Sequence, residues 1–199
     1  MAGLFAPGLA YSFSAVMVNT RFRRFSELDD DTVALAASVA YTSGPWTLAA
    51  EYSPKWVYTR EFDALSAELH DLTGVIKGSF KWNGVAVSPT LSVRRRFSDI
   101  DVVENTRFGA GVGFGWKTSE RSILKVAPAV AYTIYDTSSV AGTDRRDFWA
   151  GLNIDCIVSL TPSADLVMSA GVGYNDSTAD NRSWKSFGAS PSLNLTTKF

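Results

Sequence analysis

Charged side chains recur at alternate positions of this chain, inside segments whose other residues are apolar. Most of them are basic, and they share one register: Glu51, Lys55, Lys77, Lys81, Arg94, Arg96, Arg107, Lys117, Lys125, Asp155 and Lys198. A charged group in a low-dielectric space has to be paired or hydrated. We expect Glu51 and Lys77 to pair across adjacent strands, which leaves the other cations to water or to an anionic ligand. This register therefore indicates a positively charged interior that favours small anions.

A second candidate is the only histidine, His70, which stands beside Asp71. A histidine near a carboxylate could act in general acid–base catalysis. Adjacent strand residues point to opposite faces, however, and we expect His70 to be a rim residue at the start of a strand. His70 and the one cysteine, Cys156, lie too far apart in the chain to form a metal-ligand set. The sequence therefore predicts no enzyme, no metal and no cofactor.

The elements that carry these residues are strands. Short and long links alternate between them. The short turns are 43–45, 83–84, 118–121 and 161–164, and Asn83-Gly84 is typical of a type I′ hairpin. The long links are 22–31, 59–69, 98–105, 136–147 and 176–186. The ten alternating segments are 9–21, 32–42, 46–58, 70–82, 85–97, 106–117, 122–135, 148–160, 165–175 and 187–199.

The two faces of these segments differ in a way that does not suit a soluble protein. One, the small-residue face, is built of Gly, Ala and Ser, as at Gly109 and Gly111. The other, the apolar face, carries residues such as Val33, Leu152 and Cys156. A core of small residues would bury little apolar area, so the apolar face should meet lipid and the small-residue face should line a lumen. The sequence predicts an all-β, transmembrane, antiparallel up-and-down β-barrel.

We expect one domain over residues 1–199, ten strands and both termini in the periplasm. The alternatives are eight or twelve strands, or a soluble β-sandwich or barrel. Aromatic residues favour the membrane, because they form belts at both ends of the apolar face, where amphipathic rings prefer headgroup depth. The belt residues are Tyr41, Trp46, Trp82, Trp116 and Phe199 near the turns, and Trp56, Tyr58, Phe97, Phe108, Phe148, Tyr174 and Phe187 near the long links.

Arginine is concentrated near the long links, which should be extracellular. Arginine binds phosphate through two hydrogen bonds at once. We therefore expect the rim to dock on lipopolysaccharide phosphates of the outer leaflet; the alternative is ordinary solvation with aspartates as local partners. The rim residues are Arg23, Arg24, Arg60, Arg95, Arg145, Arg146 and Arg182.

Composition and length set outer limits. The chain has 199 residues and a net charge of −1. So small a net charge creates no overall positive potential that would attract nucleic acid. The sequence contains no run of about 18 apolar residues, so it predicts no transmembrane helix. No signal peptide is visible at the N-terminus. Because an exported protein needs one, we expect this sequence to be a mature form.

The closing strand, the aromatic belts and the alternation of turns and long links resemble the small bacterial outer-membrane β-barrel superfamily. That group includes opacity-like and OmpX-like proteins and small porins. Leu193, Leu195 and Phe199 fit its C-terminal pattern, whereas Thr197 departs from it. The resemblance implies a Gram-negative outer membrane, contact with lipid and lipopolysaccharide, and insertion by the barrel-assembly machinery.

Members of this superfamily are channels, adhesins, enzymes or structural proteins, and the fold does not choose among them. An activity like that of the omptin proteases or lipid A deacylases would have to use His70, for which the spacing specifies no partner. We expect a narrow passive pore for small anionic or polar solutes. The alternative is a non-conducting structural or adhesin-like barrel that binds a protein partner through its loops or lumen.

Overall fold

Alternation of apolar and small residues produces strands throughout this computed structural model. The structure describes residues 2–20, 30–59, 62–137, 144–161, 163–179 and 182–195. Within those ranges the only helical element is a 3₁₀ turn at Asp101–Val103. The strands are β1 Ala2–Ala6, β2 Leu9–Thr20, β3 Asp30–Ser43, β4 Trp46–Thr59, β5 Leu65–Gly78, β6 Phe80–Trp82, β7 Val85–Ser98, β8 Asn105–Ser119, β9 Ser122–Tyr135, β10 Arg146–Thr161, β11 Ala164–Ser177 and β12 Trp184–Leu195.

Neighbours in the chain are neighbours in the sheet. The path runs β1-β2-β3-β4-β5-β7-β8-β9-β10-β11-β12, and the short β6 pairs with β7. All pairs with a described register are antiparallel. The predicted all-β, antiparallel up-and-down topology is therefore confirmed. Among the described residues, no helix has the length and apolar character needed to cross a membrane.

The strands differ most from the prediction at two places. Residues Ala2–Ala6 form an additional strand that pairs with β2, so the path through the described residues has eleven strands rather than ten. The predicted segment 70–82 begins earlier, at Leu65, and is divided at Ser79. In this earlier part of β5, the Glu68 carbonyl accepts a hydrogen bond from the Asp99 N–H, and the Glu68 N–H donates to the Asp99 side chain. His70 and Asp71 therefore lie inside β5 and not at its start.

Two turns show why glycine stands where it does. Asn83 and Gly84 have φ of 48° and 83°, so the predicted type I′ turn is confirmed. Gly8, with φ of 79°, joins β1 to β2, and its carbonyl accepts a hydrogen bond of 2.7 Å from the Thr42 N–H. A Cβ at Gly8 would stand 2.5 Å from the Thr42 oxygen, which excludes any other residue.

The apolar residues do not form a core. Among the described residues, Ala131 is the only buried hydrophobic side chain, whereas Trp82 is 69% and Leu91 59% exposed. Exposed apolar surface of this extent marks a face that another medium or molecule covers. This agrees with the predicted contact between the apolar face and lipid.

The chain forms two compact units. Unit 1 comprises residues 1–76, 92–107 and 133–145, and unit 2 comprises 77–91, 108–132 and 146–199. In unit 1, Phe13 stands opposite Ala37 on the apolar face, and Ser38 stands opposite Glu51 on the small-residue face. In unit 2, Gly173 stands opposite both Gly151 and Ser186 on the small-residue face.

Candidate functional site

Three lysines line a cavity on the small-residue face of unit 2. It has a volume of 530 Å³, and its wall includes Lys81, Lys117 and Lys125 beside the small residues Ala86 and Gly115. Lys81 stands opposite Ala86 in the pair of β6 and β7. A Cβ on Gly115 would lie 3.5 Å from that of Ala86, which puts β8 in register on the same face. We call this site the lysine cavity.

No carboxylate of the described residues neutralises the lysine cavity. No Asp or Glu lines it, and none of its three lysines forms an ion pair with another described residue. Three positive charges around one open space create a potential that attracts anions. Lys81, Lys117 and Lys125 all belong to the charged register that the sequence predicts to face the interior.

A second basic cluster, the arginine cluster, lies on the small-residue face of unit 1. Arg96 donates to both carboxylate oxygens of Asp71, from Nε at 2.8 Å and from Nη2 at 2.6 Å. Arg94 Nε is 3.9 Å from the same carboxylate, and its Nη2 donates to Asn105 Oδ1 at 3.2 Å. Arg107 is two residues from Asn105 in β8 and shares its face. The Asp71 carboxylate thus lies close to two guanidinium groups, those of Arg94 and Arg96.

Arg94 is the least satisfied member of the arginine cluster. Its Nε is buried and has no hydrogen-bond partner in the described part of the chain. A buried donor without an acceptor costs free energy that an anion or a water molecule could offset. Sequence reasoning selected Arg94 and Arg96 but assigned them no partner, since the spacing does not reveal that Asp71 faces them.

The other predicted interior residues lie on the same face in their own units. Glu51 stands opposite Ser38, and Asp155 stands opposite Ser169. Lys77 follows Asp71 by an even number of residues in β5, so the two share a face. Glu51 belongs to unit 1 and Lys77 to unit 2, and their pairing stays a prediction.

Trp149 occupies the small-residue face of unit 2, where sequence reasoning placed no aromatic residue. A Cβ on Gly151 would overlap its indole ring, and one on Gly173 would stand 3.2 Å from its Nε1. Two glycines thus make room for one tryptophan, which borders a 470 Å³ cavity together with Asn153 and Ser169. The signal in the sequence was the glycines at alternate positions, because a glycine in a strand often marks a place where another group comes close to the backbone.

The rim arginines have different partners. Arg95 forms an ion pair with Asp136, donates to Thr106 Oγ1 at 3.2 Å, and lies 5.0 Å from the centre of the Phe97 ring. The hydrogen bond from Arg95, reinforced by its charge and opposed by desolvation, holds the pKa of Asp136 below its usual value. Arg95 is therefore already paired within the protein.

Arg145, Arg146 and Arg182 stand beside the links that follow β9 and β11. The Arg145 guanidinium lies 3.9 Å from the centre of the Tyr135 ring. The Arg146 backbone exchanges hydrogen bonds with Thr178, and the Arg182 carbonyl accepts one from Asn175. The remaining predicted rim residues, Arg23, Arg24 and Arg60, lie outside the described residues.

His70 lies on the apolar face of β5, whereas its neighbour Asp71 faces the arginine cluster, as expected of adjacent strand residues. The hydroxyl of Tyr52 is 2.6 Å from His70 Nδ1, and Glu68 Oε1 is 2.8 Å from Nε2. The indole of Trp56 donates to the same Glu68 oxygen at 3.1 Å. Sequence reasoning missed these partners, because it placed Glu68 in a link.

The residues described give no metal-binding group of three or more His, Cys, Asp or Glu side chains. Cys156 is a free thiol that stands opposite Met168 on the apolar face. Its position is the one that the alternation predicted.

Comparisons with known proteins identify a fold and no family. No protein-family model matches the chain, and no curated protein matches it. The siderophore receptor PirA from Pseudomonas aeruginosa superposes with a TM-score of 0.51 at 9% identity, over 98% of this chain and 37% of the receptor. A loop L8 deletion mutant of OmpT, an outer membrane protein of Vibrio cholerae, gives a TM-score of 0.50 at 13% identity, over 94% of this chain and 62% of that protein.

The chain thus spans less than two thirds of either protein's length. At such identities the likeness concerns the fold alone. Together with the strand order and the exposed apolar face, it shows that this chain has the fold of outer-membrane β-barrel proteins.

Proposed function

We propose that the protein is a bacterial outer-membrane β-barrel whose small-residue face forms a narrow passive pathway for small anionic solutes. The observation that carries this proposal is the lysine cavity. The wall of this 530 Å³ cavity includes three lysines and, among the described residues, no carboxylate. Cations that no protein group neutralises are hydrated or bind anions.

The size of the effect follows from Coulomb's law. An anion about 8 Å from one ammonium gains about 0.5 kcal/mol at the dielectric constant of water. Three lysines at that distance would together enrich a monovalent anion roughly tenfold at low salt. Because salt screens these interactions over about 10 Å at 0.1 M, the selectivity should fall as ionic strength rises.

The arginine cluster supports the same function. Asp71 lies close to both Arg94 and Arg96, and Arg94 keeps a buried Nε without a hydrogen-bond partner in the described part of the chain. Small residues beside both clusters leave space that larger side chains would fill. Lys77, Arg107, Glu51 and Asp155 would modulate the potential along this face.

The apolar face supports a place in the outer membrane. Its exposed residues would lie against lipid, and insertion would depend on the barrel-assembly machinery after export with a signal peptide. The rim would contact lipopolysaccharide through arginines other than Arg95, which Asp136 already engages.

The experiment is conductance across a planar bilayer with a salt gradient, using the full chain. We expect discrete openings with a reversal potential that shows anion preference. The variant that combines Lys81→Gln, Lys117→Gln and Lys125→Gln should lose most of that preference. The matched control is Lys185→Gln, since Lys185 stands opposite Tyr174 on the apolar face and its loss should leave selectivity unchanged.

A folded barrel without conductance would contradict the pathway. It would favour a structural or recognition barrel that binds a partner through its loops. Openings whose selectivity is the same in the triple variant would contradict the role of the lysine cavity.

A further inference from the structure

The cavity beside Trp149, on the small-residue face of unit 2, has a wall without charge. It has a volume of 470 Å³, and we call it the tryptophan cavity. Among the described residues, none of those that line it is charged, whereas three lysines line the lysine cavity of the same unit. Small-molecule sites in proteins usually have volumes of about 300–1,000 Å³. The tryptophan cavity is therefore suited in size and charge to an uncharged small molecule.

The indole of Trp149 lies across a pair of glycines. Gly151 and Gly173 stand opposite each other in β10 and β11. A Cβ on Gly151 would overlap the six-membered part of the ring, and one on Gly173 would stand 3.2 Å from Nε1. Because the ring rests on backbone at both points, it offers the cavity a preformed aromatic surface. Trp184 is 46% exposed and lies 3.6 Å from the same position above Gly173, which adds a second indole.

Polar side chains with free hydrogen-bonding capacity surround this aromatic surface. Four that line the cavity form no hydrogen bond with another described residue: Asn153, Ser169, Ser186 and Ser190. Elsewhere in unit 2 a serine finds a partner, since Ser159 donates to Asp165 at 2.7 Å. The Asn153 amide lies over Gly171, where a Cβ would stand 2.6 Å from its Oδ1. Hydroxyl and amide groups both donate and accept, so a ligand on the indole meets partners of either kind.

We propose that the tryptophan cavity binds an uncharged saccharide, with one pyranose ring stacked on the indole of Trp149. A pyranose has a face of C–H groups, which packs against an aromatic ring, and a perimeter of hydroxyl groups, which donate and accept hydrogen bonds. The indole matches the first feature, and Asn153 with the three serines matches the second. A purely apolar solute would leave those polar groups without partners, which costs binding free energy. An ion would find no opposite charge in the wall.

The experiment uses the full chain folded in tetraethylene glycol monooctyl ether, because a detergent with a sugar headgroup would compete for the cavity. The probes are maltose and cellobiose, and binding is measured by saturation-transfer NMR and by titration of tryptophan fluorescence. We expect saturable binding, with the strongest transfer to the C–H protons of one ring. Because the probes and the cavity wall are uncharged, the Kd should be the same at low and at high salt.

Four variants test the site. Trp149→Leu keeps an apolar side chain but removes the aromatic surface, and it should weaken binding about fivefold to tenfold. Asn153→Ala removes a hydrogen bond and should weaken binding about threefold to tenfold. Gly188 lines the cavity with nothing within 4 Å of its Cβ position, so Gly188→Leu should fill the cavity and block binding in a folded protein. Trp82→Leu, on the apolar face, is the matched control and should leave the Kd unchanged.

Three results would overturn the saccharide site. They are the absence of saturable binding by both disaccharides, an unchanged Kd in Trp149→Leu or Gly188→Leu, and equally strong binding of cyclohexanol, which has a six-membered ring but one hydroxyl group. The outcome is independent of anion conductance, because the tryptophan cavity and the lysine cavity share no residue. The triple lysine variant should therefore bind maltose as the parent chain does.

Discussion

Arg96 holds Asp71 in a two-point contact on the small-residue face of unit 1, with hydrogen bonds of 2.8 and 2.6 Å. Both side chains are mostly buried, with 26% and 17% exposure. Arg94 approaches the same carboxylate without a hydrogen bond to it. Asp71 is therefore the counter-charge on which the arginine cluster depends.

Removing that counter-charge should have two effects. We expect Asp71→Asn to lower the free energy of unfolding by about 2 kcal/mol, since hydrogen bonds between charged groups contribute about 1.5–3 kcal/mol. It should also increase anion preference, because the cluster gains one positive charge. Urea titration in lipid vesicles measures the first effect and reversal potential the second. Glu51→Gln is the control for stability, since Glu51 lies on the same face without an ion pair to a described residue.

The ion pair of Arg95 and Asp136 should make stability depend on pH in the acid range. The pKa of Asp136 is lowered in the folded protein, from an ordinary value of 3.8. The pair therefore contributes fully above that value, and its contribution is lost as pH falls through the lowered pKa. Because the pair is about one-third exposed, we expect only about 0.5 kcal/mol.

Asp136→Asn measures that contribution. The variant should be less stable than the parent chain at pH 7 and equally stable at a pH below the lowered pKa of Asp136. Unfolding titrations of both proteins at several pH values give the comparison. A difference that persists undiminished in strong acid would show that the ion pair is not its source.

Gly151 should be intolerant of a side chain because Trp149 covers it. A Cβ there would overlap the indole ring, so Gly151→Ala should displace Trp149 and cost about 1–3 kcal/mol. Tryptophan fluorescence would report the displacement. In a Trp149→Ala background the same change should cost much less. Gly188→Ala is the matched control, since nothing lies within 4 Å of the position of its Cβ.

Cys156 provides a test of which face meets lipid. It lies on the apolar face, opposite Met168. We expect a water-soluble maleimide to label it slowly in a bilayer and faster in a denaturant, and a lipid-soluble maleimide to label it in both. A matched Ser169→Cys in a Cys156→Ala background faces the other side and should react with the water-soluble reagent. Equal labelling of the two positions would contradict the assignment of the faces.

The strands could be predicted because alternation is a local property of the sequence. Asn83-Gly84 and the boundaries of β9 were predictable for the same reason. β1 was not, although it pairs with β2 close by in the chain. A short segment such as Ala2–Ala6 carries too little pattern to reveal such a partner.

The candidate sites were predictable only in part. Alternation indicated which charges share a face, but the choice of partners depends on register and strand ends. Asp71 meets Arg96, and His70 meets Tyr52 and Glu68, inside β5, which begins at Leu65. Glu68 also bonds to the backbone and the side chain of Asp99, a partner that no pattern within residues 59–69 specifies.

The near absence of buried apolar residues has a consequence for how the chain reaches its fold. Ala131 alone among the described hydrophobic residues is buried, so collapse in water would not produce this structure. Before insertion, the apolar side chains can avoid water only by contact with one another or with a chaperone. The bilayer thus covers the apolar side chains that a hydrophobic core would cover in a soluble protein. Its thickness therefore becomes a determinant of the protein's stability.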